Sequence, residues 1–244
     1  MIMPLSRPSK IVLTGATSGI GACLKERLLA QGHHVIAVSR SASGLPAIAG
    51  LETLDCDMAS PETVGAVARR IRDEHGRVDC LINNSAVQYP KPLTAPDFEP
   101  EQMIAEANIN LLAPALLCQA LLPALQAAGP GAAIVNMSSG LAFYPKRDTA
   151  LYCATKAGLH SFSQSLRYQL KGSDIRVIEV ILPLVATPMT HGRGHGKISP
   201  QAAAKAILDG IARGRPEIYI GKAKLLPLLS RIAPAIPRRM LHGS

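Results

Sequence analysis

Short runs of aliphatic and β-branched residues recur along this chain, and longer helical patterns separate one run from the next. Apolar runs of this kind are typical of parallel strands that helices cover on both faces. Seven strands are predicted, at Ile11–Leu13, Val35–Val38, Leu54–Asp57, Cys80–Asn83, Ala133–Met137, Val177–Ile181 and Ile218–Ile220. Helices are predicted at about 19–31, 61–75, 101–127, 149–171 and 200–213. The pattern therefore predicts an α/β fold with a doubly wound, seven-stranded parallel sheet.

The length of 244 residues fits a single domain over 1–244, with a C-terminal extension at about 223–244. Three prolines in that extension predict short, broken helices. From Arg213 onward the chain has seven basic residues and a single acidic one, Glu217, so this segment carries six of the nine net positive charges. This basic segment is either a solvated tail or a peripheral contact with a membrane surface or an acidic partner. Nucleic acid is not expected as a partner, because no binding motif accompanies the charge.

The cysteines and histidines indicate the compartment and argue against a metal site. The five cysteines form no CxxC pair, which favours a reducing compartment, and we expect a cytoplasmic protein. The seven histidines show no HExxH pattern, so no metal is expected. The N-terminus lacks the apolar run of a signal peptide, and no run of 18 apolar residues predicts a membrane span.

A glycine-rich turn follows the first predicted strand and opens the first helix, in the segment Thr14-Gly15-Ala16-Thr17-Ser18-Gly19-Ile20-Gly21. Gly15 permits a tight turn, Gly19 lets the backbone approach a pyrophosphate, and Gly21 lets the helix pack on the strand. The helix N-terminus supplies N–H donors for the phosphates. The spacing is GxxxGxG rather than GxGxxG, but its place at the first β–α turn predicts a Rossmann-like dinucleotide site.

The end of the second strand bears on which dinucleotide binds. An NAD site usually has an acidic residue here for the ribose 2′-hydroxyl, and this chain has Ser39-Arg40-Ser41 instead. The Arg40 guanidinium suits a 2′-phosphate, and the two serines are predicted to add hydroxyl donors. We therefore expect NADP(H) to be preferred, with NAD(H) as a second option. The alternative is that Arg40 is an ordinary surface arginine.

Tyr152 and Lys156 have the i, i+4 spacing that puts two side chains on one helix face. An ammonium beside a phenol favours the phenolate, so the pKa of Tyr152 is predicted to fall from about 10 toward working pH. A tyrosine tuned in this way can exchange a proton with a carbonyl oxygen or an alcohol.

With these motifs in register, the chain resembles the short-chain dehydrogenase/reductase family over nearly its whole length. Further matching elements are Asn83-Asn84-Ser85-Ala86, Asn110, Ser139 placed 13 residues before Tyr152, and Thr187 after the sixth strand. Within the family it most resembles the DltE-type oxidoreductases, through segments 166–170, 179–187 and 217–224. The resemblance implies the catalytic set Asn110, Ser139, Tyr152 and Lys156. The cofactor site it implies consists of Gly15, Thr17, Ser18, Gly19, Ile20, Gly21, Ser39, Arg40, Asp57, Met58, Asn84, Ser85, Tyr152, Lys156, Pro183, Val185 and Thr187.

The resemblance also implies a mechanism for interconverting a carbonyl and an alcohol. Ser139 fixes the substrate oxygen, Tyr152 supplies the proton, and Lys156 lowers the tyrosine pKa and holds the nicotinamide ribose. Asn110 is expected to organise a water that resupplies protons through Lys156. Two positions depart from the family pattern: Ala86 replaces the glycine of the Asn-Asn-Ala-Gly element, and Leu184 replaces the glycine of Pro-Gly.

The substrate is expected to be a small molecule in a mostly apolar pocket, bound by Ser139, Leu141, Gln88, Leu184 and Tyr152. The basic, glycine-rich segment 191–197 is interpreted as a mobile loop that either attracts an acidic substrate or only shields the cofactor. Alanine and leucine on the helices at 101–127 and 149–171 predict a homodimer or homotetramer. One alternative is an NADP(H)-binding sensor or assembly protein with little turnover. Another is epimerisation or dehydration, which can use the same Tyr and Lys.

Overall fold

The computed structural model describes residues 3–227, which build one seven-stranded parallel sheet. The strand order is β3-β2-β1-β4-β5-β6-β7, so the chain reverses direction across the sheet between β1 and β4. The strands are β1 (Lys10–Thr14), β2 (His34–Ser39), β3 (Leu51–Asp55), β4 (Cys80–Asn83), β5 (Ala133–Ser139), β6 (Arg176–Leu182) and β7 (Glu217–Tyr219). The predicted doubly wound α/β fold is confirmed, and the crevice at the β1/β4 reversal is where such folds bind ligands.

Helices cover both faces of the sheet, as the continuous apolar strands require. They are α1 (Gly19–Ala30), α2 (Pro61–His75), α3 (Pro100–Ala107), α4 (Ala113–Ala128), α5 (Ala150–Gln169) and α6 (Pro200–Ala212). One buried cluster lies under α2, α4 and α5, and it includes Val12, Leu81 and Ile134. The other lies under α1 and α6, and it includes Ile11 and Leu13. Adjacent residues of β1 thus point into opposite cores, which explains why the strand is apolar throughout.

Two predicted elements differ in their bounds. β3 spans Leu51–Asp55, so it begins and ends before the predicted Leu54–Asp57. It is an edge strand in which Leu54 alone is fully buried, and its partly exposed residues do not form an apolar run. The predicted helix at 101–127 is interrupted by a π-helical segment at Asn108–Leu112 between α3 and α4. A π segment adds one residue to a turn without ending the helix.

The stretch Pro100–Ala128, which joins α3, the π segment and α4, is long and apolar enough to cross a membrane by length and composition. In this fold, apolar residues of the stretch pack against the sheet instead. Leu117, Leu121 and Leu125 of α4 are almost fully buried against the sheet. The hydropathy of this stretch is therefore that of a core helix over a parallel sheet. Of the C-terminal extension, the structure describes a short 3₁₀ helix at Gly221–Leu225, and the predictions for residues 228–244 lie outside the described range.

Candidate active site

The glycine-rich turn forms a tight cradle at the start of α1. A Cβ on Gly21 would lie 1.9 Å from the Gly15 carbonyl oxygen, so only glycine fits there. Ser18 is the N-cap of α1, and its side chain makes no capping hydrogen bond. The first N–H groups of α1 and the Ser18 hydroxyl are therefore free to bind an anion. This cradle fits the pyrophosphate of a dinucleotide.

Thr14 and Asn84 join the cradle to the end of β4, at the point where the sheet reverses. The Thr14 hydroxyl oxygen accepts hydrogen bonds from the N–H groups of Asn84 and Ser85, at 2.9 Å each. The Asn84 Nδ2 in turn donates to the carbonyl oxygens of Thr14 at 2.9 Å and Gly15 at 3.2 Å. Asn84 and Ser85 thus support the loop. The role of Thr14 was not predicted, although a hydroxyl at the end of an apolar strand is its signal.

The predicted adenosine end of the site lies beyond β2 and β3. Arg40 is exposed, as a contact to a ribose phosphate requires. Ser39 is buried instead: its Oγ accepts from Ala16 N–H at 3.0 Å and donates to Val38 O at 2.8 Å. The prediction that Ser39 donates to the cofactor is therefore wrong for this arrangement, because its proton is already used. Asp57 is exposed, with Oδ1 accepting from Ala59 N–H at 3.0 Å, and Met58 beside it is buried.

Thr187 closes the cradle from the opposite side, at the carboxyl end of β6. Its Cγ2 would lie 3.1 Å from a Cβ built on Gly19, so the threonine faces the start of α1. The Thr187 hydroxyl accepts from the backbone of Thr190, and its proton remains free for a ligand amide. Val185 is buried and pairs with Ile198, while Pro183 packs near Gly221. Thr17 and Ile20 are partly exposed in the cradle itself.

Tyr152, Lys156 and Ser139 come together at the carboxyl end of β5. Ser139 ends that strand, and its hydroxyl lies within hydrogen-bonding reach of the Tyr152 phenol. The Lys156 Nζ lies 5.6 Å from the centre of the Tyr152 ring and donates to Met137 O at 2.9 Å. Lys156 is almost fully buried. The predicted i, i+4 arrangement on α5 is present, and it brings a phenol, a hydroxyl and an ammonium to one place.

The charge states of this group differ from the sequence prediction. Burial raises the pKa of Tyr152 to about 12, although the Ser139 hydrogen bond opposes the shift. Burial also lowers the pKa of Lys156 to about 8, against the opposing charges of Glu106 and Glu179. The prediction that Lys156 brings the Tyr152 pKa down toward working pH is wrong here, because burial disfavours the phenolate and is the largest effect on this pKa. At neutral pH the phenol is a proton donor.

Asn110 and Glu106 clamp the loop that follows β4. Asn110, fully buried in the π segment, accepts from Val87 N–H and donates to Val87 O, both at 2.9 Å. Glu106, one turn earlier, accepts from Tyr89 N–H at 3.3 Å. The Asn110 side chain is thus committed to the loop and to Thr155, and the water that Asn110 is expected to organise for Lys156 stays a prediction. Glu106 was missed, although a glutamate four residues before Asn110 in an apolar helix is a visible signal.

A family model matches the part of the chain that contains the glycine loop, Tyr152 and Lys156. The model of the short chain dehydrogenase family matches residues 9–197. The chain belongs to this family. The predicted resemblance to short-chain dehydrogenases and to DltE-type oxidoreductases is confirmed.

Relatives of known sequence lie at about one-third identity. The uncharacterized oxidoreductase DltE of Bacillus subtilis is 34% identical over 220 residues, which cover 85% of this chain and 86% of DltE. The L-xylulose reductase of Bos taurus is 32% identical over 210 residues, covering 84% of this chain and 82% of that protein. The dehydrogenase scaffold is therefore shared along almost the whole length of these proteins.

Solved structures of family members superpose closely. A short chain dehydrogenase from Burkholderia cenocepacia in complex with NADP has a TM-score of 0.87 at 28% identity, covering 99% of both chains. A short-chain dehydrogenase from Sphingobium yanoikuyae in complex with NADPH has a TM-score of 0.80 at 27% identity, covering 94% of this chain and 95% of that one. The family to which this chain belongs uses a nicotinamide cofactor, and the chain is an oxidoreductase of that family.

On the predicted substrate side, Leu141 is partly buried, and its N–H donates to the Ser139 hydroxyl oxygen at 3.1 Å. Leu184 is 38% exposed and has no left-handed backbone, so leucine is tolerated at this position of the family. A Cβ on Gly194 would lie 2.4 Å from Leu184 Cδ2, which shows how closely the basic segment packs there. Ala86 likewise has no left-handed backbone.

The segment 191–197, interpreted from the sequence as a mobile loop, makes several hydrogen bonds to its surroundings. Arg193 N–H donates to Thr190 O at 3.1 Å, and the Lys197 ammonium donates to the same carbonyl oxygen. The Arg193 guanidinium donates through Nη1 to Gln88 Oε1 at 3.0 Å and through Nη2 to Met189 O. Arg193 therefore connects the basic segment with the loop after β4.

A second buried polar pair lies one turn beyond Lys156 on α5. His160 Nδ1 lies 2.7 Å from Glu179 Oε2, and the Glu179 side chain on β6 is fully buried. The hydrogen bond with Glu179 raises the pKa of His160. This pair carries charge next to the candidate catalytic lysine without touching the cradle.

Three possible metal-ligating side chains, Glu52, Glu74 and His75, lie within 4.8 Å of one another at the opposite edge of the sheet. Glu52 is near the start of β3 and His75 ends α2, far from the carboxyl ends of the strands. The His75 ring nitrogens already meet Lys10 Nζ at 3.0 Å and Glu52 Oε2 at 3.2 Å. This cluster is a set of ion pairs that closes the base of the sheet.

Proposed function

We propose that this protein is an NADP(H)-dependent oxidoreductase that interconverts a carbonyl and an alcohol, with Tyr152 as general acid/base. The observation that carries the proposal is the meeting of Tyr152, Ser139 and Lys156 beside the glycine cradle. A proton donor, a hydroxyl to orient the substrate oxygen and a buried cation are the groups that carbonyl reduction needs.

The cradle residues fit a nicotinamide dinucleotide. Gly15, Gly19, Ser18 and the first N–H groups of α1 would hold its pyrophosphate, since a side chain at Gly21 would fill the cradle. Thr187 would hold its carboxamide, and the exposed Arg40 would hold a 2′-phosphate. Two family members of similar structure were solved with NADP or NADPH, which supports the NADP(H) preference.

The mechanism follows from the charge states of the site. When bound, NADPH supplies the hydride that reduces the carbonyl carbon. Ser139 donates a hydrogen bond to the carbonyl oxygen, and Tyr152 transfers its phenolic proton to the same oxygen as the C=O becomes CH–OH. The raised Tyr152 pKa keeps this proton on the phenol at neutral pH. Lys156, with a pKa of about 8, can return a proton to the phenolate.

Turnover tests this proposal. NADPH oxidation is measured over ketoses including L-xylulose, aromatic ketones, aliphatic aldehydes and oxo esters. Tyr152→Phe removes the proton and keeps the ring, so kcat is expected to fall by at least about 10²-fold. The matched control is Tyr168→Phe, since Tyr168 is 72% exposed. Tight NADPH binding with no turnover of any carbonyl, or full activity in Tyr152→Phe, would contradict the assignment.

The cofactor preference has its own test. Dissociation constants for NADP⁺ and NAD⁺ are measured with the native protein and with Arg40→Ala. A lost charge-assisted contact is expected to weaken NADP⁺ by about tenfold or more and to leave NAD⁺ within about twofold. Equal affinities for the two cofactors in the native protein would refute the preference.

We also propose a homodimer or homotetramer in the cytoplasm. Ile104 and Leu112, on the stretch that joins α3 to α4, are 62% and 47% exposed. These apolar side chains support an interface on that face. The five buried, free thiols support a reducing compartment. Sedimentation of the purified protein tests the assembly, and a monomer at micromolar concentration would contradict it.

A further inference from the structure

Arg193 carries a positive charge that no neighbour neutralises. It is partly buried, and its two side-chain hydrogen bonds go to neutral acceptors, Gln88 Oε1 and Met189 O. No ion pair within residues 3–227 involves Arg193. An arginine held by an amide and a carbonyl is oriented but remains uncompensated, and its remaining N–H groups are free for an anion.

The side-chain contacts of Arg193 lie with Gln88, on the loop after β4, and with Met189, shortly after Thr187. Arg193 acts on the Tyr152 phenol and lowers its pKa against the larger effect of burial. Glu106, the other charged group that acts on the phenol, is engaged by Tyr89 N–H. The anion cradle of the cofactor lies elsewhere, where Thr187 faces Gly19. Gln88, which accepts a hydrogen bond from Arg193 at 3.0 Å, and Leu184, against which Gly194 packs, are both predicted to bind the substrate, and these contacts support a position of Arg193 on the substrate side of the tyrosine.

The orientation of Arg193 is fixed by Gln88, which lies on the loop that follows β4. Its partner Gln88 lies between Val87, which Asn110 holds by two hydrogen bonds of 2.9 Å, and Tyr89, which Glu106 holds. Both clamping residues are buried on the helical stretch that begins with α3. Gln88 is thus placed by two buried polar groups, and its Oε1 orients the guanidinium through a hydrogen bond of 3.0 Å. This preorganisation is what a specific anion contact requires.

We propose that Arg193 binds a carboxylate of the substrate, so that the protein reduces carbonyl compounds that carry a carboxylate a few carbons from the C=O. A planar guanidinium with N–H groups left over pairs well with a planar carboxylate, and its single positive charge balances the single negative charge. This inference rests on the proposed carbonyl reduction and adds the substrate class to it.

The test uses matched acids and esters. The probes are 4-oxopentanoate and 5-oxohexanoate, each compared with its methyl ester, which keeps the carbonyl and removes the charge. The kcat/KM of NADPH oxidation is expected to be about ten- to a hundredfold higher for each acid. Arg193→Gln is expected to abolish the difference by lowering the value for each acid to that of its ester. Arg193→Lys is expected to retain part of the preference.

Two controls separate the substrate from the cofactor and the fold. Arg215→Gln makes the same chemical change at an exposed site after α6 and is expected to alter neither kcat/KM nor melting temperature. Titration of each variant with NADPH, followed by nucleotide fluorescence, is expected to give unchanged affinity. If Arg193→Gln lowers the affinity for NADPH by as large a factor as it lowers kcat/KM for the acids, Arg193 binds the cofactor phosphates and the proposal is wrong.

The outcomes distinguish this inference from the proposed function. Reduction of esters as efficiently as acids, unaltered by Arg193→Gln, would overturn the carboxylate site and leave carbonyl reduction standing. If no probe is reduced, acid binding to the NADPH complex is read from the change in nucleotide fluorescence. Acid binding that depends on Arg193 would support the site, and equal or absent binding of acid and ester would overturn it.

Discussion

Gly21→Ala is the most direct test of the cofactor cradle. The new methyl group would lie 1.9 Å from Gly15 O, 2.8 Å from Gly15 C and 2.7 Å from Asn84 Nδ2. Ordinary van der Waals contact begins at 3.4 Å, so the start of α1 and the turn at Gly15 must separate by about 1.5 Å. The obstruction is backbone, which cannot rotate away as a side-chain tip can.

The expected effects follow from that displacement. Overpacking of a tight contact costs about 1–3 kcal/mol of unfolding free energy, which lowers the melting temperature of a domain of this size by about 2–12 °C. The same movement withdraws at least one N–H group from the pyrophosphate. A charge-assisted hydrogen bond of about 2 kcal/mol corresponds to roughly thirtyfold weaker NADPH binding.

The assay is fluorescence titration with NADPH combined with thermal unfolding, and Gly65→Ala is the matched control. Gly65 is also helical, in α2, and a Cβ there would meet only the tip of Arg69 at 3.4 Å. Its change to alanine gains helix propensity and is expected to leave the melting temperature equal or higher. The reasoning is refuted if Gly21→Ala binds NADPH within threefold of the native protein and melts within about 1 °C of the control.

Three further predictions concern buried titratable groups. Burial raises the pKa of Glu106 to about 6, so the native protein loses stability as the pH rises from the ordinary glutamate pKa to that value. Between pH 4 and pH 8, the unfolding free energy of Glu106→Gln, measured with urea, should therefore increase by about 2 kcal/mol relative to that of the native protein. A difference between the two proteins that does not change with pH would contradict this. The Glu179 hydrogen bond raises the pKa of His160, so the charged pair stabilises the fold fully below about pH 6.5, and this stabilisation is lost as the pH rises through the raised pKa. His160→Gln should therefore lower the unfolding free energy most at pH 6 and least at pH 9. The reverse order would exclude a charged pair. All five cysteines are buried, and burial raises the thiol pKa of Cys80 and Cys118. The native protein should therefore react with a thiol reagent far more slowly than the unfolded protein. Rapid labelling of the native thiols would be incompatible with this packing.

The sequence was sufficient for the sheet and the positions of the motifs, because apolar runs and glycine turns are local signals. It was less sufficient for β3, an edge strand whose side chains are mostly half-exposed and so form no apolar run. The π segment at Asn108–Leu112 was invisible, since one additional residue per turn leaves the helical composition intact. Local pattern thus predicts elements better than it predicts their irregularities.

For the site, the sequence predicted which side chains meet but not their surroundings. The i, i+4 spacing of Tyr152 and Lys156 was correct, yet the direction of the Tyr152 pKa depends on desolvation, which is a property of the whole fold. The hydroxyl of Ser39 was predicted to face a ligand, and it turned out to hold Ala16. The clamp by Glu106 and Asn110 requires the loop after β4 to reach α3, and no local pattern encodes that contact.

The interruption between α3 and α4 has a consequence for how this chain tolerates change in length. A residue added to one turn rotates everything after it by roughly 100° relative to a regular helix. Asn108–Leu112 therefore lets Glu106 and Asn110 face the loop after β4 while Leu117 and Leu121 face the sheet. Deleting one residue from this segment would make a more regular helix and put the two stripes out of phase. The π segment therefore allows one continuous helical stretch to face the loop after β4 with its first part and the sheet with its second part.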